Sequence, residues 1–190
     1  MQERIGARRS KPAPVFPTNH AMRSYQVILG LDPSLRGTGY GVIRLAKPFP
    51  KTLDYGTISC PTNWPRSRCL ANVAETLRTV IRKHNPTVCI VESLFYAQNL
   101  QTALIMGEAR GAALATLAQA GIDIFELAPR KVKQAIVGYG AAQKSAVGKM
   151  VQRLLRLPEL PEPDAADALA LALAHAQQNS GYSLNPPKSI

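Results

Sequence analysis

The stretch that decides the fold reads Ile28-Leu29-Gly30-Leu31-Asp32-Pro33-Ser34-Leu35-Arg36-Gly37-Thr38-Gly39-Tyr40-Gly41-Val42-Ile43. Its apolar beginning predicts a buried strand that ends at Asp32, because Pro33 has no N–H to give to a neighbouring strand. Glycines at Gly37, Gly39 and Gly41 keep the next strand thin, so that a bulky partner can approach its backbone. We therefore expect the Asp32 carboxylate to lie where a buried strand reaches the surface, free to bind a ligand.

The chain as a whole is strongly basic. Its 190 residues contain 23 Lys and Arg against 12 Asp and Glu, a formal net charge of +11. A basic globular protein most often binds a polyanion, and nucleic acid is the commonest one. Basicity that serves solubility alone is the alternative. No apolar run approaches the roughly 18–20 residues that a membrane-spanning helix needs, which predicts a soluble protein with no membrane partner.

Composition divides the chain into three parts. Residues 1–24 are basic, contain three prolines and lack apolar periodicity, which predicts a disordered N-terminal arm. This arm is interpreted as a weak nucleic-acid contact, as a start misassigned upstream of Met22, or, less favoured, as an organelle transit peptide. Residues 25–178 are expected to form one folded domain, and residues 179–190 a C-terminal tail. The three cysteines show no C-x-x-C spacing, which is typical of a reducing compartment such as the cytoplasm.

Hydrophobic periodicity predicts an α/β fold with a mixed sheet of about five strands and helices on both faces. Three strands form an antiparallel meander, and the uninterrupted apolar run at 88–91 is typical of a parallel strand buried on both faces. Gly107 and Gly111 are expected to let one helix lie close against the sheet. The predicted strands are about 25–31, 38–45, 52–59, 88–91 and 122–127. The predicted helices are about 66–84, 100–120, 129–134, 144–157 and 164–177.

Four acids have no cationic partner in their local sequence. Asp32 and Glu92 each end a predicted buried strand, whereas Asp164 and Asp167 lie on one face at the start of the last helix. No Lys or Arg follows either aspartate at i+3 or i+4, so a helix ion pair does not explain them. Helix capping is the alternative for Asp164, and it fits Asp167 less well because that residue lies further into the helix.

These acids are candidates for a metal site. If the strands that end at Asp32 and Glu92 are parallel neighbours, both carboxylates reach the sheet edge where ligands of α/β proteins bind. Clustered carboxylates repel one another unless a cation compensates, and their hard oxygen atoms suit Mg²⁺, with Mn²⁺ as a substitute. Two such ions about 3.5–4 Å apart would clamp a phosphodiester, activating water on one side and stabilising the leaving oxygen on the other. In so basic a protein, a nucleic-acid backbone is the expected substrate.

The sequence resembles the RuvC family of Holliday-junction endonucleases, which belongs to the ribonuclease H-like superfamily. The resemblance covers about residues 27–176 and implies a RuvC-like nuclease domain, with the four metal-binding acids of the family at Asp32, Glu92, Asp164 and Asp167. Seven motifs in the family's order carry it: Gly30-Leu31-Asp32-Pro33, Gly39-Tyr40-Gly41-Val42-Ile43, Glu92-Ser93-Leu94-Phe95, Ala109-Arg110-Gly111, Val132-Lys133-Gln134-Ala135-Ile136-Val137-Gly138, Gln143-Lys144-Ser145 and Asp164-Ala165-Ala166-Asp167-Ala168-Leu169-Ala170.

The resemblance also implies how such a protein meets DNA. It implies a homodimer in the bacterial cytoplasm whose two sites nick opposing strands of a four-way junction symmetrically. It suggests the RuvA–RuvB branch-migration complex as a partner. Phe95 matches an aromatic residue placed against unpaired bases, and Lys133 and Lys144 match basic positions near the scissile backbone. A core phenylalanine and solvated surface lysines are the alternatives for these three residues.

Two other functions and one departure from the family pattern remain open. A generic ribonuclease H-like nuclease and a protein that binds branched DNA without cutting it would carry similar features. Ser34 follows Asp32-Pro33 where the family usually has glycine. If this position needs a positive φ, the serine would be strained by about 1 kcal/mol or more.

Overall fold

A computed structural model describes residues 26–93, 99–179 and 188–190. The strands are β1 (Val27–Asp32), β2 (Gly37–Arg44), β3 (Lys51–Ser59), β4 (Val88–Glu92), β5 (Asp123–Leu127) and β6 (Lys188–Ser189). The helices are α1 (Arg66–His84), α2 (Leu100–Gln119), α3 (Pro129–Val137), α4 (Lys144–Leu155) and α5 (Pro163–Asn179). No helix in these ranges is long and apolar enough to cross a membrane.

The strands form one mixed sheet in the order β3-β2-β1-β4-β5-β6. β1, β2 and β3 pair antiparallel, whereas β4 is parallel to both β1 and β5. The predicted meander and the parallel strands are therefore confirmed. β6 pairs antiparallel with β5 inside the segment predicted as a tail. Its two residues carry no hydrophobic pattern from which a strand could be predicted.

Alternate residues of the central strands face two separate cores, because successive side chains of a strand point to opposite faces. Ile28 and Ile90 pack in the core with α3, α4 and α5, which we call the α5 face. Leu29 and Val91 pack in the core with α1 and α2, which we call the α2 face. The prediction of helices on both faces is confirmed.

Helix α5 crosses β1 and β2 in direct contact with their backbones. A Cβ atom added to Gly30 would lie 1.9 Å from the carbonyl oxygen of Ala168, and one added to Gly39 would lie 2.0 Å from that of Asp164. Atoms cannot approach so closely, so only glycine fits at both positions. The bulky partner expected from the glycine pattern is therefore a helix of the same chain.

The expectation for Gly107 and Gly111 is wrong. Both are exposed on α2, and a Cβ added to either would meet nothing within 4 Å. The buried small residues of this helix are Ala109 and Ala113. The i, i+4 spacing of the two glycines places them on one face of the helix, but it does not say which face meets the sheet.

The condition under which Ser34 would be strained, a positive φ, is not met. Among the described non-glycine residues, positive φ occurs at Asn85 and Arg156, which end α1 and α4. The Ser34 N–H donates to the Thr38 hydroxyl oxygen at 3.1 Å, and that hydroxyl donates back to the Ser34 carbonyl at 2.5 Å. The buried Thr38 thus holds the turn after Asp32 through both backbone groups of Ser34.

Candidate active site

The ends of two parallel strands place Asp32 and Glu92 side by side. Asp32 is the last residue of β1 and Glu92 the last of β4, and the residues before them, Leu31 and Val91, are paired. Because side chains alternate along each strand, both carboxylates project towards the α5 face. The expectation that these strands are parallel neighbours is confirmed.

The start of α5 brings the two aspartates to the same edge. Asp32 pairs with Gly39 on β2, and the carbonyl of Asp164 lies directly over that glycine. The Asp164 carboxylate lies against Gly37, where an added Cβ would be 2.6 Å from its Oδ2 atom. Since α5 begins at Pro163, the capping position falls on the preceding residue and Asp164 lies inside the helix.

The acids influence one another electrostatically. Burial, together with the negative charges of Asp167 and Asp164, raises the pKa of Asp32 to about 6, against partial relief from Lys144. Burial and the charges of Asp32 and Asp167 raise the pKa of Glu92 to about 7. Buried carboxylates that repel one another in this way form a site where a bound cation is favoured.

Lys144, the first residue of α4, forms an ion pair that the sequence did not predict. Its Nζ atom donates to Oδ2 of Asp167 at 2.7 Å, and this hydrogen bond raises the pKa of the lysine. Asp167 has no such partner within its own helix, as predicted, but the tertiary fold supplies one from a residue 23 positions away. The Lys144 side chain remains 72% exposed, so that the ammonium group also reaches solvent.

The chemistry of the site fits a hard divalent cation. The donors are four carboxylates, which suit Mg²⁺ or Mn²⁺ and not a soft, sulfur-seeking metal. Across residues 26–93, 99–179 and 188–190, however, no group of three His, Cys, Asp or Glu side chains is arranged to hold a metal ion. Asp167 turns to the Lys144 ammonium instead. The carboxylates would have to converge further around a cation.

Two of the three predicted DNA contacts lie beside the acids. Lys144 pairs with Asp167, and the positive charge of Lys133 on α3 lowers the pKa of Glu92 against the larger effect of burial. Phe95 falls within residues 94–98, outside the described part of the chain. Cys60, Cys69 and Cys89 are buried and form no disulfide with one another.

Arg110 belongs to one of the motifs of the family resemblance, but sequence reasoning assigned it no role. This residue of α2 is only 7% exposed, and its Nη1 atom donates to the backbone carbonyl of Glu92 at 2.6 Å. Its Nη2 atom binds the carboxylate of Glu126 on β5. A charged residue between the small residues Ala109 and Gly111, in a helix predicted to pack on the sheet, is the signal that could have singled it out.

Comparison with known proteins agrees with this geometry. Residues 28–175 match the family model for the crossover junction endodeoxyribonuclease RuvC. The RuvC protein of Akkermansia muciniphila is 46% identical over 162 residues, which span 85% of this chain and 94% of the relative. That of Alkaliphilus oremlandii is 43% identical over 151 residues, which span 79% and 92%.

A solved structure is also similar. Thermus thermophilus RuvC, in complex with a Holliday junction substrate, has a TM-score of 0.78 and 30% identity, and the match covers 87% of this chain and all of that one. The family model covers most of the folded domain, and the curated relatives match along nearly their full length. The chain therefore belongs to the RuvC family of crossover junction endodeoxyribonucleases, which are metal-dependent nucleases with a ribonuclease H-like fold.

Proposed function

We propose that this protein resolves four-way DNA junctions by paired symmetric nicks, and that Asp32, Glu92, Asp164 and Asp167 hold the Mg²⁺ that cleavage requires. The observation that carries the proposal is the meeting of these acids at one sheet edge, where Asp32 and Glu92 have pKa values of about 6 and about 7. The net charge of +11 supports a DNA substrate. The similar Thermus thermophilus protein holds a Holliday junction substrate.

In this proposal the acids hold the cation, and the strands of the sheet hold two of the acids in place. A divalent cation held by the four acids would act as a Lewis acid towards the scissile phosphate and would lower the pKa of the attacking water. The backbones of β1 and β4 fix Asp32 and Glu92 side by side at one sheet edge, so that only their side chains would have to move to bind it. Their burial strengthens the attraction for a cation, because charges interact more strongly away from water. Mn²⁺ would substitute, since it accepts the same oxygen ligands.

The two lysines beside the acids bind the phosphate backbone of the DNA in this proposal. The Lys144 ammonium, 2.7 Å from Asp167, is close enough to the acids to neutralise charge on a phosphate bound there. Lys133 approaches the same place from α3, beside Glu92. Phe95 would stack on unpaired bases near the crossover, as the family resemblance implies.

Paired nicks on opposing strands require two sites related by two-fold symmetry, so we propose a homodimer. The outer face of α2 supports this assembly. Leu100 is 76% exposed and Leu104 is 58% exposed, and Gly107 and Gly111 continue the same face, where no described residue lies within 4 Å of an added Cβ. Glycine has no side chain, so a second helix can approach the backbone closely at these positions. An exposed apolar face of this kind suits contact with the same face of a second copy of the chain.

The proposal also covers the limits of the nuclease domain, the cellular location of the protein and the delivery of the DNA junction to it. Residues 25–178 form the nuclease domain, and the basic segment 1–24 adds DNA affinity that depends on ionic strength. Residues 179–190 act as a tail that contributes strand β6. The protein works in the bacterial cytoplasm, where a RuvA–RuvB complex delivers the junction.

Cleavage of a labelled mobile four-way junction in Mg²⁺ tests the function. The wild type should leave paired nicks at symmetric positions, whereas Asp32→Asn and Asp167→Asn should bind the junction and leave it intact. Glu75→Gln, an exposed acid on α1 and so on the other side of the sheet from the four acids, serves as the matched control and should cleave normally. Unpaired nicks, or an Asp167→Asn variant as active as the wild type, would contradict the proposal. Faster cleavage of an RNA–DNA hybrid than of the junction would favour a generic ribonuclease H-like nuclease.

A further inference from the structure

Arg110 lies on the opposite side of the sheet from the four acids. Val91 belongs to the core of the α2 face and Ile90 to that of the α5 face, so the Glu92 side chain points towards α5. Arg110 comes from α2 on the other side. Its guanidinium therefore reaches the main chain of Glu92 and is separated from the carboxylate by the sheet itself.

The guanidinium joins three elements at one point. Nη1 donates to the backbone carbonyl of Glu92 at the end of β4, at 2.6 Å, and Nη2 binds the Glu126 side chain on β5. Leu127 of β5, which pairs with Glu92, also holds the end of β4. Its backbone carbonyl accepts a hydrogen bond from the Ser93 N–H at 3.0 Å. The pairing of β4 with β1 extends as far as Val91, one residue before the acid.

We infer that Arg110 is a positioning residue. It fixes the direction of the Glu92 carboxylate because it holds the end of β4 against β5 from the α2 face of the sheet. A planar guanidinium presents two N–H groups in a rigid fork, so it holds both partners at a fixed separation. Burial keeps water from competing for either partner, since the Arg110 side chain is only 9% exposed. Loss of such support loosens a metal ligand without touching the metal.

This inference rests on the proposed role of Glu92 as a metal ligand. Removing Arg110 alone would leave the Glu126 carboxylate half-buried without its cation, which destabilises a fold for unrelated reasons. The test therefore uses Arg110→Met combined with Glu126→Gln, which removes both charges. Arg110→Lys is the second variant, because a single ammonium keeps the charge but cannot reproduce the fork.

The readout is Mn²⁺ binding to the full-length protein without DNA, followed by electron paramagnetic resonance, beside single-turnover junction cleavage per folded molecule. Both variants should bind Mn²⁺ more weakly, by about 10–100-fold in the double variant, the range typical for the loss of a group that orients a metal ligand. Junction affinity measured without divalent cations should stay unchanged. Leu117→Ala, which opens the core on the same helix, is the control and should lower Tm while leaving Mn²⁺ affinity intact.

Wild-type Mn²⁺ affinity and cleavage per folded molecule in the variants would overturn the inference and leave Arg110 a purely structural residue. If the double variant does not fold, Arg110→Lys decides by the same two measurements. Glu92→Gln distinguishes a failure of the inference about Arg110 from a failure of the proposed metal site. If it alone loses Mn²⁺ binding and cleavage, only the inference about Arg110 fails; if it keeps both, Glu92 is no ligand and the proposed site fails as well.

Discussion

Lys144 occupies a position at which one positive charge serves two purposes. In the structure its ammonium holds the Asp167 carboxylate, and in the proposed reaction it faces the phosphate. Lys144→Ala should therefore lower the cleavage rate by about 10²–10³-fold, the usual cost of losing one group that stabilises transition-state charge. Junction affinity should fall far less. Single-turnover rates and binding measured with the same labelled junction check this expectation.

Lys149→Ala is the matched control, because this lysine is exposed on the same helix but is not paired with the acids. It should lose a little affinity and no cleavage rate. Equal losses of rate and affinity in Lys144→Ala would instead mark that lysine as an ordinary backbone contact.

His175 should give the folded state a dependence on pH that is independent of catalysis. It is 2% exposed and lies 5.9 Å from Phe125, centroid to centroid, and burial lowers its pKa to about 4. Between pH 6.5 and 4 the unfolded chain binds a proton that the folded chain does not, so stability falls as the pH falls. The expected loss from this group is about 2 kcal/mol at pH 5.

Denaturant unfolding of wild type and His175→Gln at pH 7 and pH 5 measures this contribution. The raised pKa values of Asp32 and Glu92 increase stability as the pH falls over the same range, so the wild type alone does not report on His175. Both acids are present in the two proteins, and the difference between their stability losses therefore gives the contribution of His175. A wild type that loses no more stability on acidification than His175→Gln would disprove the assignment.

At the scale of elements, the crossing of α5 over β2 is the contact on which the site depends. Gly39→Ala would place a methyl group 2.0 Å from the Asp164 carbonyl, so α5 must move away from the sheet. We expect a loss of about 3 kcal/mol or more of unfolding free energy, at the upper end for overpacked cores. Cleavage should also be lost, because Asp164 moves with the helix. Thermal unfolding and the junction assay measure the two effects.

Gly148→Ala provides the comparison for that variant. This buried glycine of α4 has room for a Cβ, whose nearest contact, with Leu160, would be an ordinary 3.6 Å. Alanine is also the better helix former, by about 1 kcal/mol. We therefore expect stability equal to or above that of the wild type, and a large loss here would show that small-to-large changes are harmful throughout this protein.

Local signals in the sequence predicted the elements well. Pro65 and the Asn85-Pro86 pair bound α1, whose predicted range 66–84 is the range observed. Apolar runs that stop at a carboxylate identified Asp32 and Glu92 as residues at strand ends. Such signals succeed because helix and strand boundaries depend on neighbouring residues.

Contacts between distant parts of the chain were not predictable in this way. The ion pair of Lys144 with Asp167 and the hold of Arg110 on Glu92 arise only when helices dock on the sheet. The same limit explains the wrong expectation for Gly107 and Gly111. A periodic pattern marks a face of a helix, and tertiary packing decides what that face meets.

At the scale of the whole molecule, the proposed homodimer predicts which surface substitution should separate the two copies. Leu104→Glu places a charge on the outer face of α2 and should convert a dimer into a monomer, because burying an unpaired carboxylate at an interface is costly. The side chain is 58% exposed in the single chain, so the fold should survive. Light scattering after size-exclusion chromatography gives the mass, and the junction assay should show nicks that are no longer paired.

The control for assembly is Leu45→Glu, since Leu45 is an exposed leucine, at 36%, that lies beside Gln26 at the opposite end of β1 from Asp32. It should leave both mass and paired cleavage unchanged. A Leu104→Glu protein that remains dimeric would place the interface elsewhere on the molecule.

The position of α5 in the chain has a consequence for biosynthesis. This helix supplies Asp164 and Asp167, and its segment from Leu169 to Ala174 is almost completely buried under the central strands. A ribosome must therefore release nearly all of the domain before either the core or the set of acids is complete. A nascent chain or a fragment that ends before residue 163 carries much of the basic charge, but with the proposed site incomplete it should not cut DNA. On this proposal the cell obtains an active nuclease only from chains that have finished folding.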